Sequence, residues 1–205
     1  MLGVHLTIGD YRKRLHVELD RVDLAEAVQL SDLIHQAWRD GRAVFVIGNG
    51  GSATNASHIC EDLAKCTLRQ ADMTADPSPR RLKIQSLTDN VGWITAIGND
   101  IGYEQIYVQQ LMNLAGPGDL LIAISGSGNS PNILAAADWA KRHGLTTFGL
   151  TGFNGGKLKA MQDAGIHVPM DDMGMVESIH MCLLHWVVDD LFGRFNGEGR
   201  YTGHQ

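Results

Sequence analysis

The chain has 205 residues, of which 44% are apolar and 20% are charged, and its 17 basic and 23 acidic side chains give a net charge of −6. This length suits one α/β domain with a full hydrophobic core and is short for two domains. The acidic balance argues against a broad nucleic-acid or anionic-membrane surface, so an anionic ligand would have to be held locally, by backbone amides and hydroxyls.

No stretch of the sequence approaches the ~18 consecutive apolar residues of a membrane span. The first residues lack the basic region and the long apolar region of a signal peptide. The three cysteines, Cys60, Cys66 and Cys182, form no CxxC pair, which favours free thiols in a reducing compartment. We therefore expect a cytoplasmic protein without a membrane anchor.

Apolar residues recur at helical spacing over residues 10–40, which predicts one long helix or two, lying against a body or a partner. We expect residues 1–40 to form an N-terminal helical segment that serves oligomerisation. The domain itself is then expected at 41–195, followed by a C-terminal tail at 196–205.

Short apolar runs, several of them rich in β-branched residues, alternate with helical patterns along the rest of the chain. The predicted strands are residues 43–47, 83–87, 120–124, 146–150 and 165–168. The predicted helices are residues 52–66, 103–114, 130–143 and 175–195. The polar stretch 68–83 contains two prolines and is predicted to be an exposed loop. Buried strands alternating with helices predict the α/β class, with a parallel sheet covered by helices on both faces.

Two of the predicted strands end in unusual loops, "GNGGS" at residues 48–52 and "SGSGNS" at residues 125–130. Glycines let a backbone approach an anion closely, and the helix that follows points its free amides and the positive end of its dipole at that anion. A single such loop can be a mere turn, but two at strand-to-helix junctions favour a phosphate site. Neither loop has the spacing of a dinucleotide fingerprint or of a P-loop.

The helix after the first loop carries His58 and Asp62, four residues apart and therefore on one face. Most such pairs are surface hydrogen bonds, but this one lies about two turns beyond the glycine loop. Glu61 points roughly 100° away and is a weaker candidate.

The C-terminal helix carries Glu177, His180 and His185 in an apolar context. A buried histidine is often a satisfied core residue, yet two histidines and a glutamate each need a polar partner. Glu177 and His185 are eight residues apart, about 12 Å along a helix, and do not easily converge on one atom. Either the site spreads over a whole sugar, or one of them reaches the site of a neighbouring subunit, which is the interpretation we favour.

Four motifs, "GNGGSA", "GND" followed by "GYE", "AISGSGNSPN" and "LTGFNGGKL", together resemble the SIS (sugar isomerase) domain family over residues 40–190. Their combination is most similar to its phosphoheptose isomerase branch, the sedoheptulose-7-phosphate isomerases. The resemblance implies a five-stranded parallel sheet flanked by helices and a homotetramer with active sites at subunit interfaces.

The resemblance also assigns substrate-binding positions. Phosphate would lie on the serine-rich loop, held by Ser125, Ser127 and Ser130 with Gly126. The residues implied to line the sugar are Asn49, Gly50, Gly51 and Ser52, with Asn99 and Asp100 nearby and Glu177 on the last helix.

Members of this branch carry a His and a Glu on the first helix and a Gln and a His on the last, which bind zinc in some members and perform the acid–base chemistry. The corresponding residues here are His58, Asp62, Glu177 and His185, so Asp replaces Glu and Glu replaces Gln. Gly174 stands where the family has an Asp. Two carboxylates and two imidazoles suit a divalent cation such as zinc, one per subunit.

The implied reaction is aldose–ketose isomerisation of sedoheptulose 7-phosphate to a D-glycero-D-manno-heptose 7-phosphate, in which we expect Asp62 and His185 to exchange protons through an enediol. One alternative is a non-catalytic adaptor or regulatory tetramer, like the initiator-associating protein of bacterial replication, which has lost the acidic residue of the first helix. Another is an isomerase of a different sugar phosphate, which the changes at Glu177 and Gly174 keep open.

Overall fold

The computed structural model describes residues 1–203. The helices are α1 (Ile8–Asp20), α2 (Leu24–Asp40), α3 (Gly51–Lys65), α4 (Val91–Asp100), α5 (Val108–Leu114), α6 (Pro131–Arg142), α7 (Gly156–Met161) and α8 (Met173–Asn196). The strands are β1 (Ala43–Gly48), β2 (Lys83–Ser86), β3 (Leu120–Ser125), β4 (Thr146–Thr151) and β5 (Ala164–His167). Short 3-10 turns lie at Leu2–Val4, Gln70–Asp72, Tyr103–Gln105 and Gly199–Tyr201.

The five strands form one parallel sheet in the order β2-β1-β3-β4-β5, which confirms the predicted fold class. Side chains of β1 alternate between the two faces: Val44 and Val46 join one buried cluster, and Phe45 and Ile47 join the other. Both faces are therefore covered, which explains why the strand sequence is apolar throughout rather than alternating.

Helices α2, α3 and α8 cover one face of the sheet, and α4 to α7 cover the other. Leu30 and Ile34 of α2 are fully buried in the first cluster. The predicted boundary at residue 40 therefore falls inside the folded unit, because α2 supplies part of the core that buries the sheet. Only α1 is largely exposed, with Ile8 85% and Val17 51% accessible.

Two helices, α4 and α7, were not predicted from the sequence, and the predicted helix at 103–114 is a 3-10 turn followed by the shorter α5. Helix α4 contains two glycines and several β-branched residues, which lower its intrinsic helix propensity. It forms because the Asn90 side chain caps its first turn by accepting from the amide of Trp93, and because Ile97 is buried against the sheet.

The described part of the predicted tail, residues 196–203, packs back onto α8. Arg200 and the Tyr201 hydroxyl both donate to the buried carboxylate of Asp190, and Ser31 of α2 donates to its other oxygen. Burial opposes ionisation of Asp190, but these hydrogen bonds outweigh it and lower its pKa. No helix within residues 1–203 combines the length and the apolar character needed to cross a membrane.

Candidate active site

The two glycine- and serine-rich loops lie side by side at the carboxyl ends of the strands. Strand β1 pairs with β3 so that Gly48 lies opposite Ile124, which places the residues that follow each strand side by side. The chain leaves β1 toward β2 on one side and later returns to β3 on the other, so this is the topological switch point, where ligands of open α/β sheets bind.

A pocket of about 310 Å³ opens between these loops. The pocket is lined by glycine, serine and asparagine residues of the two loops, by the end of β3 and by the start of α8. These residues are Asn49, Gly50, Gly51, Ser52, Ile124, Ser125, Gly126, Ser127, Ser130, Met173 and Glu177. All of the predicted substrate-binding residues line it except Asn99 and Asp100. The pocket thus offers many hydrogen-bond donors and only one ionisable side chain, Glu177.

Neither of the two helices that follow the loops, α3 and α6, has a side-chain cap. Gly50 precedes α3 and Ser130 precedes α6, and neither position provides a capping hydrogen bond. Pro131 has no N–H and the amide of Ile133 bonds to Asn132, so the first-turn amides left to bind an anion are those of Gly51, Ser52 and Asn132. Both helix dipoles favour negative charge there. Gly50 has φ 55° and ψ −122°, a conformation that only glycine adopts readily. The backbone of the loop therefore requires glycine at this position.

A pair of asparagines ties the two loops together. Asn49 and the buried Asn132 exchange side-chain hydrogen bonds of 2.9 and 2.8 Å, and the Tyr103 hydroxyl donates to Asn49 at 3.1 Å. Asn132 also accepts from the amide of Ile133 at 3.0 Å. Asn132 and Tyr103 were not among the site residues predicted from the sequence, although they lie in the motifs "AISGSGNSPN" and "GYE".

The serine loop is fixed from behind by the segment that precedes α7. Gly128 has φ 63°, and a Cβ at this position would collide with the carbonyl of Gly155. Asn129 accepts from the amide of Lys157 at 3.2 Å and donates to the carbonyl of Ser127 at 3.0 Å. These contacts keep the loop open toward the pocket without using the hydroxyl of Ser130.

His58, Asp62 and His185 form a second group, the imidazole–carboxylate cluster. The Oδ2 atom of Asp62 lies 3.3 Å from Nε2 of His58 and 3.7 Å from Nε2 of His185. The two imidazole rings meet edge to face, with centroids 5.2 Å apart. Asp62 is mostly buried, with 17% of its side chain accessible, whereas both histidines are about half exposed. A ligand can therefore reach the two rings directly.

Glu177 lies apart from this cluster, in the pocket between the loops. Its carboxylate occupies the space beside Gly51, where a Cβ would collide with it. The favoured arrangement, in which one of Glu177 and His185 reaches a neighbouring subunit's site, stays a prediction; within one chain the two side chains belong to different groups. The physical reason is the rise of α8, about 12 Å over eight residues.

The pocket and the cluster lie on the same two helices. Helices α3 and α8 pack against each other, and the Asn55 side chain of α3 donates to the carbonyl of Glu177 at 3.3 Å. Both helices begin at the pocket, and the cluster residues follow about two to three turns further on. Because side chains on a helix lean toward its N-terminus, those of the cluster lean toward the pocket.

The donor set of the cluster fits a zinc ion. The ligating atoms of His58, Asp62 and His185 all lie within 4.8 Å of one another. Donors in a tetrahedron with bonds of about 2.0–2.1 Å are about 3.3 Å apart, close to the separations found here. Three protein ligands with a fourth position left for water or substrate is the pattern of catalytic zinc sites.

The remaining candidates lie outside both groups. Asn99 and Asp100 are exposed at the end of α4, where their side chains bond to each other. Glu61 is exposed and pairs with Lys65. His180 is fully buried, its Nε2 donates to the carbonyl of Thr151, and burial lowers its pKa to about 4, so it stays neutral in the core.

A five-stranded parallel sheet with a glycine–serine pocket at its switch point is the architecture of a phosphosugar-binding α/β domain. Residues 10–152 match the family described as SIS domain, and the chain belongs to this family. The resemblance stated from the motifs is thereby confirmed.

Relatives place the chain more narrowly, in the phosphoheptose isomerase branch. It is 36% identical to a phosphoheptose isomerase of Trichlorobacter lovleyi over 181 residues, which are 86% of this chain and 88% of that protein. The phosphoheptose isomerase structure from Neisseria gonorrhoeae superimposes with a TM-score of 0.77 at 29% identity, covering 87% of this chain and 91% of that one. That from Francisella tularensis gives 0.79 at 28% identity, covering 90% and 95%.

Proposed function

We propose that this protein interconverts the ketose and aldose forms of a sugar phosphate, with sedoheptulose 7-phosphate as substrate and a D-glycero-D-manno-heptose 7-phosphate as product. The observation that carries the proposal is the position of Asp62, between two accessible imidazoles and beyond a pocket suited to an anion. The names of the relatives, which match along most of the chain, support the choice of substrate.

In this proposal the phosphate binds at the serine loop. The hydroxyls of Ser125, Ser127 and Ser130 and the amide of Asn132 at the start of α6 supply donors without adding positive charge to an acidic protein. Binding energy from the phosphate then orients the distant reacting carbons. His58 and Asp62 are seven and eleven positions beyond Gly51, which places them about 10 and about 17 Å beyond the pocket along α3. This separation favours a long, extended sugar.

The sugar chain runs from the phosphate along α3 and α8, past Asn49, Gly50, Gly51 and Ser52, toward the cluster. Asp62 and His185 exchange the protons: one removes the proton beside the carbonyl, and the other protonates the carbonyl oxygen to give an enediol. The first residue then returns its proton to the neighbouring carbon while the second takes the proton of the hydroxyl on the first carbon, which completes the isomerisation. Glu177 accepts a hydrogen bond from a sugar hydroxyl that lies between the phosphate and the reacting carbons.

We also propose that His58, Asp62 and His185 hold one zinc ion, with Glu177 left outside the coordination. When bound, the ion polarises a carbonyl oxygen as a Lewis acid. A lone pair given to the ion cannot take a proton at the same time. Binding zinc and exchanging protons are therefore separate roles of Asp62 and His185. Measuring proton exchange in zinc-loaded and in chelated protein distinguishes them.

The proposed assembly is a homotetramer. Large apolar side chains are exposed on α1, around α4 and on α5, among them Ile8 at 85%, Val91 at 69% and Met112 at 56%, and such patches favour burial against other copies. Asn99 and Asp100 lie near these residues, and we propose that they reach the sugar in a neighbouring subunit. The cysteines are free thiols, which supports the proposed location in the cytoplasm.

The decisive experiment is solvent proton exchange. The protein is incubated in D2O with sedoheptulose 7-phosphate and, in parallel, with pentose, hexose and amino-sugar phosphates, each with zinc and with a chelator. Deuterium entering the heptose phosphate beside its carbonyl supports the proposal. Exchange confined to another sugar phosphate would change the substrate, and no exchange with any of them, together with micromolar binding of a protein partner, would identify an adaptor.

A further inference from the structure

Cys66, at the end of α3, contacts the carboxylate at the centre of the cluster. Its Sγ lies 3.6 Å from Oδ1 of Asp62, and its backbone amide donates to the carbonyl of the same residue at 2.6 Å. Cys66 is half-buried and is four residues beyond Asp62, so both side chains lie on one face of the helix.

The two oxygens of Asp62 therefore have different partners. Oδ2 faces the imidazoles of His58 and His185, while Oδ1 faces the thiol of Cys66. A carboxylate that is bonded on one oxygen cannot rotate freely about χ2 without losing that bond. The thiol thus determines which oxygen is presented to the two rings.

We propose that Cys66 is a positioning residue, whose S–H donates to Oδ1 of Asp62 and holds Oδ2 toward a divalent cation shared with His58 and His185. This inference rests on the zinc site of the proposed function. It follows the general observation that metal-ligating carboxylates are themselves hydrogen-bonded, and that these outer partners matter for affinity.

The geometry distinguishes this role from direct ligation. Among residues 1–203, the donor atoms that lie within 4.8 Å of one another belong to His58, Asp62 and His185, and the sulfur of Cys66 is not one of them. The thiol lies on the far side of the carboxylate from the two rings. Such a partner matters at this position because Asp is a methylene shorter than the Glu expected there. The carboxylate of Asp62 therefore reaches less far, and its orientation must be fixed more closely.

The test measures metal affinity rather than turnover. Zinc dissociation constants are determined by competition with a chromophoric chelator for the full chain and for Cys66→Ala, Cys66→Ser and the matched control Cys182→Ala, whose thiol is exposed on α8. The same proteins are titrated with Co²⁺ and their absorption spectra recorded. Thermal unfolding of each metal-free variant shows whether the fold is intact.

We expect Cys66→Ala to weaken zinc binding about tenfold, the lower end of the roughly 10- to 100-fold range for outer partners, because S–H is a weak donor. Cys66→Ser should recover most of the affinity, and Cys182→Ala should match the wild type. Unchanged affinity in Cys66→Ala would overturn the inference, as would a wild-type protein that binds neither cation.

A thiolate-to-cobalt charge-transfer band that is lost in Cys66→Ala would also overturn it, because the sulfur would then be a ligand. If Cys66→Ala fails to fold, the comparison of Cys66→Ser with the wild type decides the question. If Cys66 is a hydrogen-bond donor, we expect the zinc affinity of Cys66→Ser to stay within about threefold of the wild type. If Cys66 is a zinc ligand, the affinity should fall by more than that. Failure of the proposed function would show instead as intact zinc binding without deuterium exchange in any sugar phosphate.

Discussion

Asp62 and His185 lie on different helices, far apart in the sequence, yet Oδ2 of the first is 3.7 Å from Nε2 of the second. The contact exists because α3 and α8 pack side by side on one face of the sheet. In the proposed chemistry the carboxylate and the imidazole act as one unit for proton transfer, and this contact gives that chemistry its most direct test.

Replacing Asp62 with Asn keeps the shape of the side chain and removes its capacity to take a proton. We expect Asp62→Asn to lose about 100-fold or more in deuterium exchange, as for other acid–base groups. Asp62→Glu retains the carboxylate and should lose less. The exchange rate in D2O is the measurement, and Glu61→Gln, on the same helix but exposed and paired with Lys65, is the control. Equal exchange in Asp62→Asn and the wild type would remove Asp62 from the mechanism.

Glu177 is the only ionisable side chain that lines the loop pocket, and a phosphate bound there meets its negative charge. We expect Glu177→Gln to bind inorganic phosphate more tightly by about 1 kcal/mol, or roughly fivefold, with a smaller gain at high salt. Isothermal titration at two salt concentrations measures the effect, with Glu61→Gln as the matched control outside the pocket. Weaker phosphate binding by Glu177→Gln would show that the carboxylate does not face the bound anion.

The Asn49–Asn132 pair joins the two loops, so breaking it should loosen the pocket while sparing the cluster. Asn132→Ala leaves Asn49 without its reciprocal partner and should cost about 1–3 kcal/mol in the free energy of unfolding. Sugar-phosphate binding should weaken, whereas zinc affinity should be unchanged. Urea unfolding and two binding titrations test this. Asn113→Ala, which removes an exposed amide on α5, should change none of the three quantities.

His180 makes stability depend on pH. Burial holds the pKa of His180 at about 4 in the folded protein, against 6.5 for an ordinary histidine. Between these values the unfolded chain binds a proton that the folded chain does not, so the free energy of unfolding falls as the pH drops from about 6.5 to about 4. The loss over that window is about 3 kcal/mol.

His180→Gln can still donate to Thr151 and does not titrate, so its urea unfolding curves at pH 7 and pH 5 should differ less than those of the wild type. His16→Gln, at an exposed histidine of α1, should keep the wild-type difference. His167 bonds to the Thr151 hydroxyl, and its pKa is lowered by burial and by Lys159, so it adds to the same slope. A wild-type slope in His180→Gln would assign the effect to His167 or to His35, whose pKa burial also lowers.

Much of the fold followed from local patterns in the sequence. Strands β1, β3 and β4 were predictable because each contains a short apolar or β-branched run, whereas β2, with the sequence KIQS, has a single apolar residue. The placement of α3 and α6 followed from the loops that precede them. Helix α4 was missed because its glycines and β-branched residues carry no helical signal, and its formation depends on the Asn90 cap and on packing. Helix α2 was misplaced as an appendage because an amphipathic stripe does not say what it packs against.

For the site, the sequence by itself determined which chemical groups are present and how they are spaced on each helix. His58 and Asp62 had to share a face, and Glu177 and His185 had to lie far apart, because both follow from the rise and turn of one helix. Only the tertiary structure decided that His185 joins His58 and Asp62, and that Asn132 binds Asn49. Contacts between distant segments depend on the order of the strands and on which helices share a face of the sheet, and no local spacing contains that information.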